Sequence, residues 1–165
     1  MKLAKVFKEN KQFTLFSILA LVVVGVAVFA PQIAPYDPLD AVMLESLQAP
    51  SSAHPFGTDK LGRDLLSRVI FGTRTSLIMT LCLVAVIFVI GTFLGVIAGY
   101  FGGIVDGVIM RIADMMISFP GLVLAIAIAG MLGPNLVNAV ISIAAVSWTK
   151  YARLARSMVL RVKKN

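Results

Sequence analysis

Residues 76–100 read SLIMTLCLVAVIFVIGTFLGVIAGY, with no charged side chain among them, and the charge-free interval runs on from Arg74 to Asp106. A helix needs roughly 20 apolar residues to cross the hydrocarbon core of a bilayer. This stretch therefore predicts a membrane-spanning helix with residues to spare. Within it Gly91, Gly95 and Gly99 recur at every fourth position. That spacing places three positions without side chains on one helix face, where a neighbouring backbone can approach closely.

The rest of the chain agrees with a bilayer as solvent. Of 165 residues, 59% are apolar and 14% charged, and the mean hydropathy is +0.94. That leaves too little polar surface to cover a water-soluble globule. The net charge of +7 does not point to nucleic acid, because the basic residues fall at the two ends and in one connecting segment, without a patch of interleaved aromatics. The single cysteine, Cys82, lies inside the apolar run, so neither a disulfide framework nor a Cys/His metal spacing is present. It is expected to be a small packing residue.

An all-α, multi-pass helical bundle with four spans follows. Lys2, Lys5, Lys8 and Lys11 precede Phe13–Ala30, which is uncharged and predicts the first span at about 13–30. Its apolar stretch is longer than that of a secretory signal. From Pro31 to Arg74 the chain turns polar, and Pro31, Pro35, Pro38, Pro50 and Pro55 preclude a long helix there. The segment from Asp64 to Thr75 is expected to be a separate short amphipathic helix at the interface. The second span covers about 76–100. Gly102 and Gly103 suit a tight turn into a third span at about 107–132, in which Pro120 should introduce a kink. Arg111 and Asp114, three residues apart in that span, are expected to pair near its start. Gly133 and Pro134 close it, and a fourth span at about 136–160 includes Lys150, Arg153 and Arg156, whose charged ends are expected to extend toward the headgroups. The chain thus divides into an N-terminal region, 1–75, and the start of a transmembrane domain, 76–165.

With the N-terminus inside, eleven Lys and Arg fall on inner segments and four on the outer loop. The excess predicts both ends of the chain in the cytoplasm and the Pro-rich loop outside.

The connecting loop carries Gly57-Thr58-Asp59, then Leu61-Gly62-Arg63-Asp64, Ser67-Arg68 and Gly72-Thr73-Arg74-Thr75-Ser76-Leu77. As PFGTDxLGRDxLSRxxxGTRTSL, this string resembles the N-terminal region of the dipeptide, oligopeptide and nickel ABC-importer permeases. The resemblance continues through Gly99-Tyr100-Phe101-Gly102-Gly103, Asp106, Met110-Arg111, Asp114, Ser118-Phe119-Pro120 and Trp148 with Tyr151-Ala152-Arg153, and begins as early as Ala34-Pro35-Tyr36-Asp37-Pro38.

The resemblance implies the type I ABC importer permease fold and a multi-pass subunit of the bacterial inner (cytoplasmic) membrane, in contact with its lipid. It further implies a second homologous permease, cytoplasmic ATP-binding subunits and an extracytoplasmic substrate-binding protein as partners, with peptides or nickel as cargo. Family members continue past the equivalent of Asn165 into a cytoplasmic loop with a Glu-Ala-Ala motif that docks on the ATPase, and the sequence is expected to stop short of that element.

No catalytic residue, cofactor site or metal site is predicted. There is no Gly-rich phosphate loop ending in Lys-Ser or Lys-Thr, and His54 lacks ligand partners in sequence, so it is expected to be a solvated loop residue. Between Ser76 and Thr149 only Asp106, Arg111 and Asp114 are charged, too few for a membrane-embedded enzyme. A membrane anchor whose outer loop recognises a partner is the other class of protein these features fit. In a permease, Gly91, Gly95 and Gly99 would set close packing, Arg111 and Asp114 would hold one end of the third span, and Pro120 would let it bend.

Overall fold

The computed structural model describes residues 10–164, and the basic tail with Lys2, Lys5 and Lys8 lies outside them. Every regular element among the described residues is helical, apart from an isolated bridge between Thr58 and Asp64. The chain divides into two compact units, Met1–Ile78 and Met79–Asn165.

In the first unit, helix α1 spans Lys11–Val28. Leu15, Phe16 and Leu21 are all at least 64% exposed. Such a helix, apolar on every side, suits lipid and not water. Phe29 closes it by donating its N–H to the Gly25 carbonyl. The short helix α2, Ala30–Ile33, follows, with Pro31 in its first turn where a missing N–H costs nothing. Irregular chain then leads through a 3₁₀ turn at Met43–Glu45 to the start of helix α3, Leu65–Phe101.

Helix α3 corrects one expectation: no separate interfacial helix covers 64–75, because the 37 residues of Leu65–Phe101 form one continuous helix. Gly72 is the weakest helix former in the segment, and one glycine costs only about 1 kcal/mol. The hydroxyls of Thr73 and Thr75 turn back to the carbonyls of Val69 and Phe71 (2.9 and 3.3 Å). At ~1.5 Å per residue α3 is roughly 55 Å long, well beyond a ~30 Å hydrocarbon core.

The second unit contains the rest of α3 with helices α4 (Gly103–Ser118), α5 (Gly121–Leu132) and α6 (Leu136–Lys164). The expected kink at Pro120 is a full break instead. Phe119 adopts an extended conformation (φ −94°, ψ 147°), the geometry a following proline favours, and α4 and α5 meet at 92°.

Four spans were expected. Helices α1 and α3 are long and apolar enough to cross a membrane, and α4 with α5 makes a third only if the bent pair is one span. Helix α6 does not qualify on composition, since its second half carries Lys150, Arg153, Arg156, Arg161 and Lys163.

Candidate functional site

Two constellations, one in each unit, gather the residues singled out above.

The first is the connecting loop. Its backbone turns sharply at Gly57 and Gly62, both with φ of +75°, where a side chain would collide with the Gln48 and Val42 carbonyls respectively. Asp59 sits at the centre. Its carboxylate accepts from the N–H groups of Leu61 and Arg63 (2.8 and 3.1 Å) and from Arg63 Nε at 2.9 Å, and it also pairs with Arg68. The Asp59 backbone carbonyl receives the N–H groups of Gly62 and Leu47. Thr58 donates its hydroxyl to the Glu45 carbonyl and accepts the Gln48 N–H at 2.8 Å. Gly57, Thr58, Asp59, Gly62, Arg63, Asp64 and Arg68 therefore share one hydrogen-bonded structure.

Asp64 connects this loop to the membrane helix. It precedes α3, and its carboxylate accepts the Ser67 N–H at 2.7 Å, which satisfies a donor the helix cannot. The same carboxylate meets His54 Nδ1 at 3.0 Å, and Glu45 lies 3.4 Å from His54 Nε2. Tyr36 stacks obliquely on the imidazole with centroids 4.9 Å apart. Its N–H reaches the Ser67 hydroxyl oxygen (3.1 Å), and its own hydroxyl donates to the Ala53 carbonyl. His54 is only 5% exposed, so the expectation of a solvated residue was wrong. Its partners lie nine or more positions away in sequence, where no local spacing rule reaches them.

Both aspartates are held below the ordinary carboxylate range. For Asp59 the chief cause is the hydrogen bond from the Arg63 side chain. For Asp64, burial pushes the carboxyl up, but the Ser67 N–H and hydroxyl together with His54 outweigh it. A carboxyl with a lowered folded pKa stabilises the fold above its unfolded value of about 4 and loses that contribution as the pH falls further. Acid should therefore loosen this loop below about pH 4. Hydrogen exchange at the Leu47, Gly57 and Gly62 amides, corrected for intrinsic chemistry and compared at pH 6 and pH 3, should show protection falling. Unchanged protection would remove the carboxylates from this role.

The second constellation lies between helices of the second unit. The glycine stripe of α3 faces α6. A Cβ added at Gly91 would stand 2.6 Å from both the Trp148 carbonyl oxygen and Tyr151 Cβ, and one at Gly95 would strike the Ala152 carbonyl. At Gly99 the obstacle is the Val159 side chain, 2.8 Å away. Ala98 and Ala152 are fully buried. Phe88 and Tyr151 meet edge to face.

The polar groups of α4 also turn to α6. Asp114 pairs with Arg153 and Asp106 with Arg156, while Lys163 Nζ donates to the Tyr100 carbonyl at 3.0 Å. Two expectations change accordingly. Arg111 and Asp114 do not pair with each other, because α6 presents a better-placed guanidinium; Arg111 is exposed and without an ion pair among the described residues. Arg153 and Arg156, expected only to extend outward, each take a carboxylate partner on α4. The pairing of Asp106 with Arg156 was not expected, although two acids on α4 and three arginines on α6 were a usable signal. Charge reversal at Asp106→Arg should disrupt folding, and adding Arg156→Asp should restore much of it, as measured by the monodisperse fraction in detergent.

Cys82 is free and exposed. Those residues include no group of three His, Cys, Asp or Glu side chains able to hold a metal ion. At the break around Pro120, however, α4, α5 and α6 line an open pocket of about 360 Å³, with Met116, Phe119, Leu122, Ala125, Val146 and Lys150 among its lining residues.

Residues 91–164 match the family described as binding-protein-dependent transport system inner membrane component, and residues 2–50 match the N-terminal transmembrane domain of oligopeptide transport permease C. The chain belongs to this permease family. It is 41% identical over 162 residues to the probable D,D-dipeptide transport system permease protein DdpC of Escherichia coli K12, which covers 98% of this chain and 54% of that relative. It is 39% identical over 163 residues to the dipeptide transport system permease protein DppC of Haemophilus influenzae, covering 95% and 55%. The nickel transport system permease protein NikC of Escherichia coli K12 is 40% identical over 129 residues, covering 78% and 47%. The chain spans about half the length of these permease relatives.

Proposed function

We propose that this chain forms part of the translocation path of a peptide importer, as a permease subunit that performs no catalysis of its own. The observation that carries the reading is the 39–41% identity, over nearly the whole chain, to permeases named for dipeptides. In this reading the bent pair is one span and α6 crosses as well, with its charged half at the inner face, so that both ends of the chain lie in the cytoplasm, as the eleven-to-four distribution of Lys and Arg supports. Its partners are a second permease, separate ATP-hydrolysing subunits and an extracytoplasmic protein that delivers the substrate. Gly91, Gly95 and Gly99 keep α3 and α6 together, and the break at Pro120 is the point at which α4 and α5 change their angle during alternating access. Asp114 holds one end of the bent pair through Arg153, and Arg111, exposed beside it, has no such contact among the described residues.

Nickel import is the second reading, and the match to NikC favours it. The test is uptake by cells carrying the importer genes around this one, with a labelled dipeptide and labelled nickel offered separately. ATP-dependent uptake of the dipeptide alone supports the first reading, and uptake of nickel alone replaces it. Affinity purification of the chain from those membranes should recover an ATPase and a second permease. If it recovers neither, the chain is better described as an anchor.

A further inference from the structure

The cavity at the helix break has the makings of a ligand site. Its volume of about 360 Å³ falls at the small end of the ~300–1,000 Å³ typical of small-molecule pockets. Its walls come from three helices and are mainly apolar, supplied by Met116, Phe119, Leu122, Ala125 and Val146. Two polar groups stand out among the lining residues. The Ser147 hydroxyl has no hydrogen-bond partner among the described residues. The Lys150 ammonium has no carboxylate partner there either, whereas Arg153, Arg156 and Lys163 on the same helix each have an acceptor.

An unpaired ammonium beside an apolar wall selects for an anion attached to an apolar group. We propose that this cavity binds the C-terminal end of a small peptide, its carboxylate on Lys150 and its last apolar side chain against Phe119, Leu122 and Val146. The size suits a short peptide end. This inference rests on the peptide-import reading and adds to it the chemical group that is recognised and the residue that recognises it.

The test uses the assembled importer in nanodiscs of zwitterionic lipid, with alanyl-photoleucine as the probe and its C-terminal amide as the comparison. After illumination the labelled sites are mapped by mass spectrometry. The free acid should label the segments 116–125 and 143–150, and the amide should label them about tenfold less, the scale of one charge-assisted hydrogen bond. Lys150→Gln should reduce labelling by the acid to the level of the amide, and Lys150→Arg should retain most of it. Lys150 is exposed on α6, and an unchanged elution profile of the Gln variant establishes that it is folded. Equal labelling by acid and amide, or no change in Lys150→Gln, overturns the proposal. So does decanoate displacing the probe as well as unlabelled dialanine does, since the occupant is then a lipid carboxylate. Dipeptide uptake is measured in parallel: if it persists while labelling is indifferent to the carboxylate, only the Lys150 assignment fails, and if no dipeptide is taken up the import reading itself fails.

Discussion

Gly95→Val should be the most damaging single substitution in the second unit. A Cβ at this position meets the Ala152 carbonyl and lies 2.8 Å from Ala155 Cβ, and backbone cannot move aside as a flexible side chain can. Overpacking a close interface costs about 1–3 kcal/mol, and collision with backbone belongs at the upper end or above. Against a total stability of about 5–15 kcal/mol, that is enough to lower the yield of folded chain sharply. Gly91→Ala should follow, since it also meets backbone, and Gly99→Ala should be mildest, because a Val159 side chain is its nearest obstacle. Gly130 has nothing within 4 Å of an added Cβ. Gly130→Ala should therefore be neutral, or stabilising by about 0.5 kcal/mol through a less flexible unfolded chain. Apparent melting temperature by size exclusion after heating ranks the four. Similar values for Gly95→Val and Gly130→Ala would mean that α3 and α6 are not in close contact.

Asp64→Ala should cause the largest loss in the first unit. It removes the acceptor for the Ser67 N–H at the start of α3 and leaves the buried His54 without its nearest partner. Losing a helix cap costs about 0.5–2 kcal/mol, and a buried polar group without its partner adds about 1–3 kcal/mol. Asp64→Asn keeps an acceptor for Ser67 but not the charge facing His54, so its cost should be intermediate. Asp40→Ala, in the same loop but outside this network, provides the control. Hydrogen exchange at the Gly57 and Leu65 amides reads the effect locally, and equal exchange in Asp64→Ala and Asp40→Ala would exclude Asp64 as the anchor.

The all-α membrane class was legible because it depends on uninterrupted runs such as 76–100, which need only one-dimensional counting. The glycine period was equally visible, although the partner helix that fills it was not. What stayed hidden depends on contacts far apart in the chain. Asp106 finds Arg156 fifty positions away, and only packing decides that Asp114 takes Arg153 and not its neighbour Arg111. His54 looked solvated because its own segment is polar, yet Tyr36, Glu45 and Asp64 enclose it. The break at Pro120 was signalled, but not its size, because a proline fixes only local backbone angles and the neighbouring helix sets the direction taken.

That elbow constrains how the molecule can sit among its neighbours. Where a helix stops and another starts at nearly a right angle, the closing carbonyls of α4 and the opening amides at Gly121, Leu122 and Val123 have no partners within their own helices. Hydrocarbon cannot solvate such groups. The corner must therefore turn toward water or toward protein, and the flank of the second unit that carries it is closed to the surrounding acyl chains.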